Sequence, residues 1–192
     1  MRIISGSKRG MKLFSPKTQV SRPVTDRVKE SLFSVLYKYD LPNGAIVADL
    51  FSGVGSLGLE ALSRKARSVT FIEQDPKIIS VLKKNIEKAD FVNESEIIRA
   101  NAFKFGASPN PDRQKYDLVF VDPPYAASMD VKPGSPLSDL LNSLGLRVTA
   151  DAIIVVRTDR KVSLLQQYGE LRIIDRRRWG TMAVTILQKI NE

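Results

Sequence analysis

The 192-residue chain contains no cysteine and no histidine. The first absence excludes disulfides, thiolate nucleophiles and cysteine-ligated metals. The second removes the commonest general base and the commonest metal ligand. Any chemistry must therefore run on carboxylates, hydroxyls, amines and a cofactor, and no metal is expected. No apolar run approaches the ~20 residues that span a bilayer. Met1-Arg2-Ile3-Ile4 passes at once into Ser, Gly, Lys and Arg, unlike a secretory signal. A cytoplasmic protein with no membrane partner is expected.

Basic residues are abundant and unevenly placed. Net charge is +9 and the pI is near 9.8. One cluster comprises Arg2, Lys8, Arg9, Lys12, Lys17, Arg22, Arg27 and Lys29; another is Arg172 with Arg176-Arg177-Arg178, beside the single tryptophan, Trp179. Concentrated positive charge fits a polyanion partner. The plainer reading is a solvated surface.

The length predicts one domain with a small appendage. Residues 2–5 and 11–14 flank a glycine-bounded loop and read as a basic hairpin. A helix follows from Thr25 or Asp26, with Val28, Leu32, Val35, Leu36 and Tyr39 at helical spacing. Strand and helix then alternate. Strands are expected at 46–50, 69–72, 97–99, 118–121 and 153–157. Helices are expected at 55–64, 76–88 and 137–145, with one helical turn at 101–105. Residues 106–114 read as a surface loop and 126–136 as a linker. A terminal hairpin pairs 171–175 with 182–187 around 176–180. Such alternation predicts a mostly parallel, doubly wound α/β sheet of Rossmann-like type.

The 118–121 strand ends in Asp122-Pro123-Pro124-Tyr125. Proline fixes its own φ and restricts the residue before it, so a rigid extended turn follows the strand. At the carboxyl end of a parallel strand, where ligands bind in open α/β sheets, it offers a carboxylate, a carbonyl and a flat ring. That trio suits a planar group with an exocyclic amine. Asp122 and the Pro123 carbonyl would accept its N–H bonds while Tyr125 stacks on its face. The alternative is a tight turn whose tyrosine simply packs.

Gly53-Val54-Gly55-Ser56-Leu57-Gly58 follows the first strand and opens a helix, and Glu73 ends the second strand twenty positions after Gly53. This is a G-x-G-x-x-G turn in strand–turn–helix context, with an acid placed for the two hydroxyls of a ribose. A dinucleotide would need its pyrophosphate at the helix N-terminus, where Asp49 would repel it. S-Adenosylmethionine carries an ammonium that Asp49 suits, and it is the favoured cofactor. Asn101-Ala102, after the third strand, would lie beside the adenine; Asn101 equally suits a helix cap.

These blocks together resemble the RsmD-type 16S ribosomal RNA guanine-N2 methyltransferases of bacteria. The resemblance rests on Arg2-Ile3-Ile4-Ser5-Gly6 with Gly10-Met11-Lys12-Leu13, and on Arg22-Pro23-Val24-Thr25-Asp26-Arg27-Val28-Lys29-Glu30-Ser31-Leu32-Phe33. It continues through residues 49–64, Phe71-Ile72-Glu73 and 121–125. Val24 stands where the family often has threonine, Ser52-Gly53-Val54 varies on its usual Ala-Gly-Ser, and the match after Gly180 is loose. The resemblance implies a class I methyltransferase fold with about seven strands, the last antiparallel, over 25–192. A β-hairpin extension would occupy 1–24. It also implies one guanine of small-subunit ribosomal RNA as substrate, met within an assembled particle. A monomer is expected.

Expected roles follow. Asp122, Pro123 and Tyr125 are catalytic, and Thr25, Asp49, Gly53, Gly55, Glu73, Asn101 and Ala102 hold the cofactor. Lys8, Arg9, Lys12 and Arg22 contact phosphates, positioning rather than specifying. Two rivals remain: an adenine-N6 methyltransferase on DNA or RNA, since Asp-Pro-Pro-Tyr serves either base, and a non-catalytic assembly factor of the same fold. A dehydrogenase is a distant third.

Overall fold

The computed structural model describes residues 1–16, 25–105 and 115–190. The expected surface loop at 106–114 lies outside them. In chain order the elements are α1 (Asp26–Leu36), β1 (Ile46–Leu50), α2 (Ser56–Ser63), β2 (Ser68–Glu73), α3 (Pro76–Ala89), β3 (Ser95–Arg99) and β4 (Tyr116–Val121). They continue as α4 (Tyr125–Ser128), α5 (Pro136–Leu144), β5 (Val148–Asp159), β6 (Gln167–Tyr168), β7 (Leu171–Trp179) and β8 (Met182–Lys189). The strands form one sheet in the order β3-β2-β1-β4-β5-β8-β7-β6. β1 to β5 are mutually parallel, and β8 runs antiparallel between β5 and β7. The Rossmann-like class I architecture holds, with an eighth, two-residue strand at the edge.

Alternation along each strand sends side chains to opposite faces, and each face has its own core. Val47, Val69, Phe71, Leu118, Phe120, Ile153 and Val155 pack with α1, α2 and α3. Ala48, Leu50, Ile72, Val119, Val121, Ile154 and Val156 pack with α5. Phe33 of α1 meets Phe120 with ring centroids 5.8 Å apart. Burial of both faces explains why the parallel strands read as continuous apolar runs.

Helix starts follow local chemistry. Asp75 accepts from the Lys77 N–H at 2.8 Å, and Pro76 takes the first helical position of α3. Ser135 and Pro136 repeat the arrangement at α5.

Residues 1–16 are bound to the sheet's helices. Arg2 and Lys12 form a single antiparallel bridge rather than a ladder, while Ile3 and Leu13 enter the α2-side core. Glu60 of α2 is fully buried and accepts from the N–H groups of Ile4 (2.7 Å) and Ser5 (3.0 Å). Its charge is met by Arg64 Nε at 2.8 Å and Lys29 Nζ at 3.4 Å. Asn85 of α3 bonds both polar groups of the Phe14 backbone and the Val54 carbonyl, joining this segment to the glycine turn.

Three sequence expectations shift. The 126–136 linker includes the last three residues of α4. β5 extends well beyond 153–157 because seven of its residues pair with β8. Its polar ends, Thr149 and Thr158-Asp159, hid that length. The arginine run is strand, not turn: β7 continues to Trp179 opposite Met182, leaving Gly180-Thr181 as a two-residue loop with Gly180 at φ +56°.

Candidate active site

The parity that places Val47, Phe71, Phe120 and Val155 on the α2 side gives Asp49, Glu73, Asp122 and Arg157 the same side. All four stand at the carboxyl ends of four neighbouring strands. Around them is a cavity of about 820 Å³ whose walls include Asp49, Gly53, Glu73, Ala102, Asp122 and Tyr125. Met1 and Ser15 reach it from the N-terminal segment, and Thr181 and Met182 from the β7–β8 turn.

The turn after β1 is shaped by backbone. Phe51 adopts φ +60°, unusual for a residue with a Cβ and a form of strain found at functional sites; its ring meets Phe103 edge-on at 4.7 Å. Gly53, at φ +55°, presents bare backbone to open space, where an added Cβ would meet nothing within 4 Å. Gly55 serves packing instead: a Cβ there would come within 2.5 Å of Leu82, and it is not a cavity wall.

Asp49 is 2% exposed, and its Oδ2 accepts from the Gly58 N–H of α2 at 2.9 Å. Burial holds its carboxyl well above the usual carboxylate range. The Gly58 bond opposes this, and the nearby charges of Asp122 and Glu73 add to it. Glu73 braces the turn: Oε2 accepts from Gly53 N–H at 3.0 Å, Oε1 from Gln74 and Asp75 N–H at 2.8 and 3.0 Å. A carboxylate has about four lone-pair sites, so these three bonds leave acceptor capacity beside the cavity.

Asp122 leaves the β4 ladder with its N–H still directed to the Leu50 carbonyl. Its Oδ1 accepts from Arg157 Nε at 2.5 Å. Burial raises the Asp122 carboxyl, and the Arg157 guanidinium works against that rise. Pro123 and Pro124 carry the chain extended into α4, where Tyr125 is 58% exposed and its hydroxyl donates to Asp159 Oδ2 at 3.1 Å. The ring is thus held by its tip at the cavity wall.

Other expected residues stand elsewhere. Asn101 is a cap, accepting from Phe103 N–H at 3.0 Å, and only its neighbour Ala102 lines the cavity. Thr25 is likewise the α1 cap, accepting from Val28 N–H, and is not a cavity wall. Lys8 and Arg9 lie at the opposite end of α2 from the cavity. Ser7 and Lys8 N–H bond the Ser63 carbonyl and hydroxyl, and Lys8 Nζ is 3.9 Å from Asp90 at the end of α3. At 1.5 Å rise per residue, α2 separates that loop from the cavity by about 12 Å. Lys12 is exposed, and its carbonyl accepts from Lys88. Arg22 lies outside the described residues.

Arg157 and Asp159 were not read from the sequence. Their signal was faint: alternate positions continuing Ile153 and Val155 at the end of an apolar strand. Among the described residues no cluster of metal-ligating side chains occurs, and no helix is long and apolar enough to cross a membrane.

A family profile described as "Conserved hypothetical protein 95" matches residues 1–188. The YlbH protein of Bacillus subtilis, provisionally named an rRNA methyltransferase, is 33% identical over 189 residues, covering 98% of this chain and 99% of its own. Ribosomal RNA small subunit methyltransferase D of Haemophilus influenzae is 41% identical over 126 residues, 65% of this chain and 64% of that relative. Among solved structures, the yhhF protein of Escherichia coli, provisionally named a methyltransferase, superposes with TM-score 0.81 at 32% identity. It covers 98% of this chain and 97% of its own.

Proposed function

Because the chain belongs to the RsmD-type family of S-adenosylmethionine-dependent methyltransferases, we propose that it methylates the exocyclic N2 amine of a guanine in small-subunit ribosomal RNA, met within an assembled or assembling subunit. The observation that carries this reading is the convergence of Asp49, Glu73 and Asp122 on one cavity beside the exposed Tyr125 ring.

The residues fit the cofactor. Gly53 leaves its backbone bare for close approach, Glu73 offers acceptor capacity for a ribose diol, and Asp49 is a buried carboxyl that a cation would draw into its ionised form. When bound, S-adenosylmethionine supplies a methyl on a sulfonium, open to in-line attack by an amine; the carbon–sulfur bond would break to leave neutral S-adenosylhomocysteine, and the methylated nitrogen would give up one proton. Asp49 would hold the ammonium and Ala102 would border the base of the nucleoside.

The chain's own work is to prepare the attacking nitrogen. A guanine amine has its lone pair delocalised into the ring, so it must pyramidalise to react. The Asp122 carboxylate and the Pro123 carbonyl accept its two N–H bonds, which directs the lone pair at the methyl and stabilises the positive charge that develops. Tyr125 receives the extruded base on its face, contributing roughly 1–3 kcal/mol. Arg157 keeps one Asp122 oxygen fixed and favours the ionised form.

The test is a deletion strain. Nucleosides from its small-subunit RNA should lack N2-methylguanosine at one position, restored by the wild-type gene and not by Asp122→Ala. An unchanged nucleoside profile would remove the proposal, and loss of N6-methyladenosine instead would reassign the base.

A further inference from the structure

Among the described residues, positive charge without an ionic partner collects where β5 and β7 end, at the end of the sheet that carries the cavity. Arg178 is in register with Ala183 and Thr158, on the α5-facing side, and Thr158 is itself a cavity wall. Arg160 and Lys161 follow Asp159, a cavity wall, and Arg178 stands one residue before the Trp179–Met182 pair that closes the terminal hairpin. Backbone joins the two: Arg160 N–H donates to the Thr181 carbonyl at 3.0 Å, and the Arg160 side chain reaches the Gly180 carbonyl at 3.5 Å. Arg176 is the strut beneath them. Its guanidinium donates to the Arg160 and Val162 carbonyls and the Ser163 hydroxyl, pinning the loop after β5 onto β7.

Arg160, Lys161 and Arg178 are exposed, and among the described residues none of them pairs with a carboxylate. Arg2, Lys8, Arg157 and Arg177 each do. Lys8 and Arg9 are moreover at the far end of α2. Three uncompensated cations on one rim, next to a cavity that ends in an exposed aromatic ring, match a phosphodiester backbone whose neighbouring base is turned inward. We propose that Arg160, Lys161 and Arg178 bind the phosphates of the RNA strand flanking the target nucleotide. The proposal rests on the function given above.

The experiment uses the full-length protein, a small-subunit ribosomal RNA transcript and purified small subunits. Arg160→Gln, Lys161→Gln and Arg178→Gln are combined, and Lys38→Gln, Lys83→Gln and Lys84→Gln form a charge-matched control with equal net charge. Thermal melting checks that both fold. The rim variant should bind the transcript on the order of tenfold more weakly at physiological salt. Its slope of log affinity against log salt should fall by about 2, at about 0.7 per single-strand phosphate. The loss in kcat/KM should be carried by KM for RNA, and the control should keep the wild-type slope. A rim variant with wild-type slope and KM overturns the surface while leaving the methyltransferase reading intact. Weakened binding to subunits alone, with transcript binding unchanged, overturns it in favour of a protein contact. A wild-type protein that neither binds nor methylates the RNA sinks the underlying function itself.

Discussion

Asp122 and Arg157 face each other across adjacent parallel strands, one residue beyond the Val121–Val156 pair, and are joined at 2.5 Å. The pair ties the carboxylate expected to orient the amine to a strand whose end also carries Asp159, the anchor of the Tyr125 hydroxyl. β5 thereby positions both the acceptor and the stacking ring.

Removing the acceptor should separate chemistry from cofactor binding. Asp122→Ala should lower kcat/KM for methyl transfer by about 10²–10³ or more, the scale of a lost pre-organised electrostatic contact. S-Adenosylmethionine affinity, read by titration calorimetry, should stay within a few fold. Turnover retained in the variant would take Asp122 out of the mechanism.

The ion pair sets a pH dependence. Burial raises the Asp122 carboxyl and Arg157 opposes the rise, so activity that needs the carboxylate is lost as pH falls through the raised value. Asp49 and Glu73 on β1 and β2, Asp75 and Lys77 at the start of α3, and Asp159 and Tyr125 at the wall are the other titratable side chains that line the cavity. Arg157→Gln should move the acid limb of kcat to higher pH, and Arg157→Lys should recover part of the displacement. A limb that does not move would assign it to another group.

Asp49 should trade stability for affinity. Its raised carboxyl binds more protons folded than unfolded, so stability falls as pH rises from the ordinary carboxylate range through the raised value. Asp49→Asn keeps an oxygen for the Gly58 N–H and removes that loss. Near neutral pH it should gain roughly 0.5–2 kcal/mol, vanishing in acid, while cofactor affinity drops. Denaturant melts at two pH values decide this; a variant equally stable or weaker at neutral pH would contradict it.

The glycine turn separates packing from binding. A Cβ on Gly58 would come within 2.3 Å of the Phe71 ring, so Gly58→Ala should cost about 1–3 kcal/mol through overpacking. Glu73→Ala should chiefly weaken cofactor binding, though loss of its bond to Gly53 N–H will loosen the turn as well. Stability and affinity measured side by side on both variants test the division.

Much of this was legible beforehand, for identifiable reasons. The β1, β2 and β4 runs are buried on both faces, so apolar continuity marked them, and Asp49, Glu73 and Asp122 were visible as the polar residues that end them. What escaped depends on long-range pairing. Arg157 gains meaning only once β4 lies beside β5, and the second half of β7, from Arg176 to Trp179, reads as a turn until β8 pairs with its arginines. Capping resolved Thr25 and Asn101, since each side chain satisfies a local N–H that an isolated sequence leaves open to other uses. The distance of Lys8 and Arg9 from the cavity was not legible either, because charge along the sequence carries no information about which end of a helix it reaches.

The most direct test places the purified protein with methyl-labelled S-adenosylmethionine and under-methylated small-subunit RNA or subunits, and identifies the labelled nucleoside by mass spectrometry. The account predicts N2-methylguanosine, at one label per RNA, absent with Asp122→Ala. Label on adenine N6, or no transfer to RNA in either form, would contradict it.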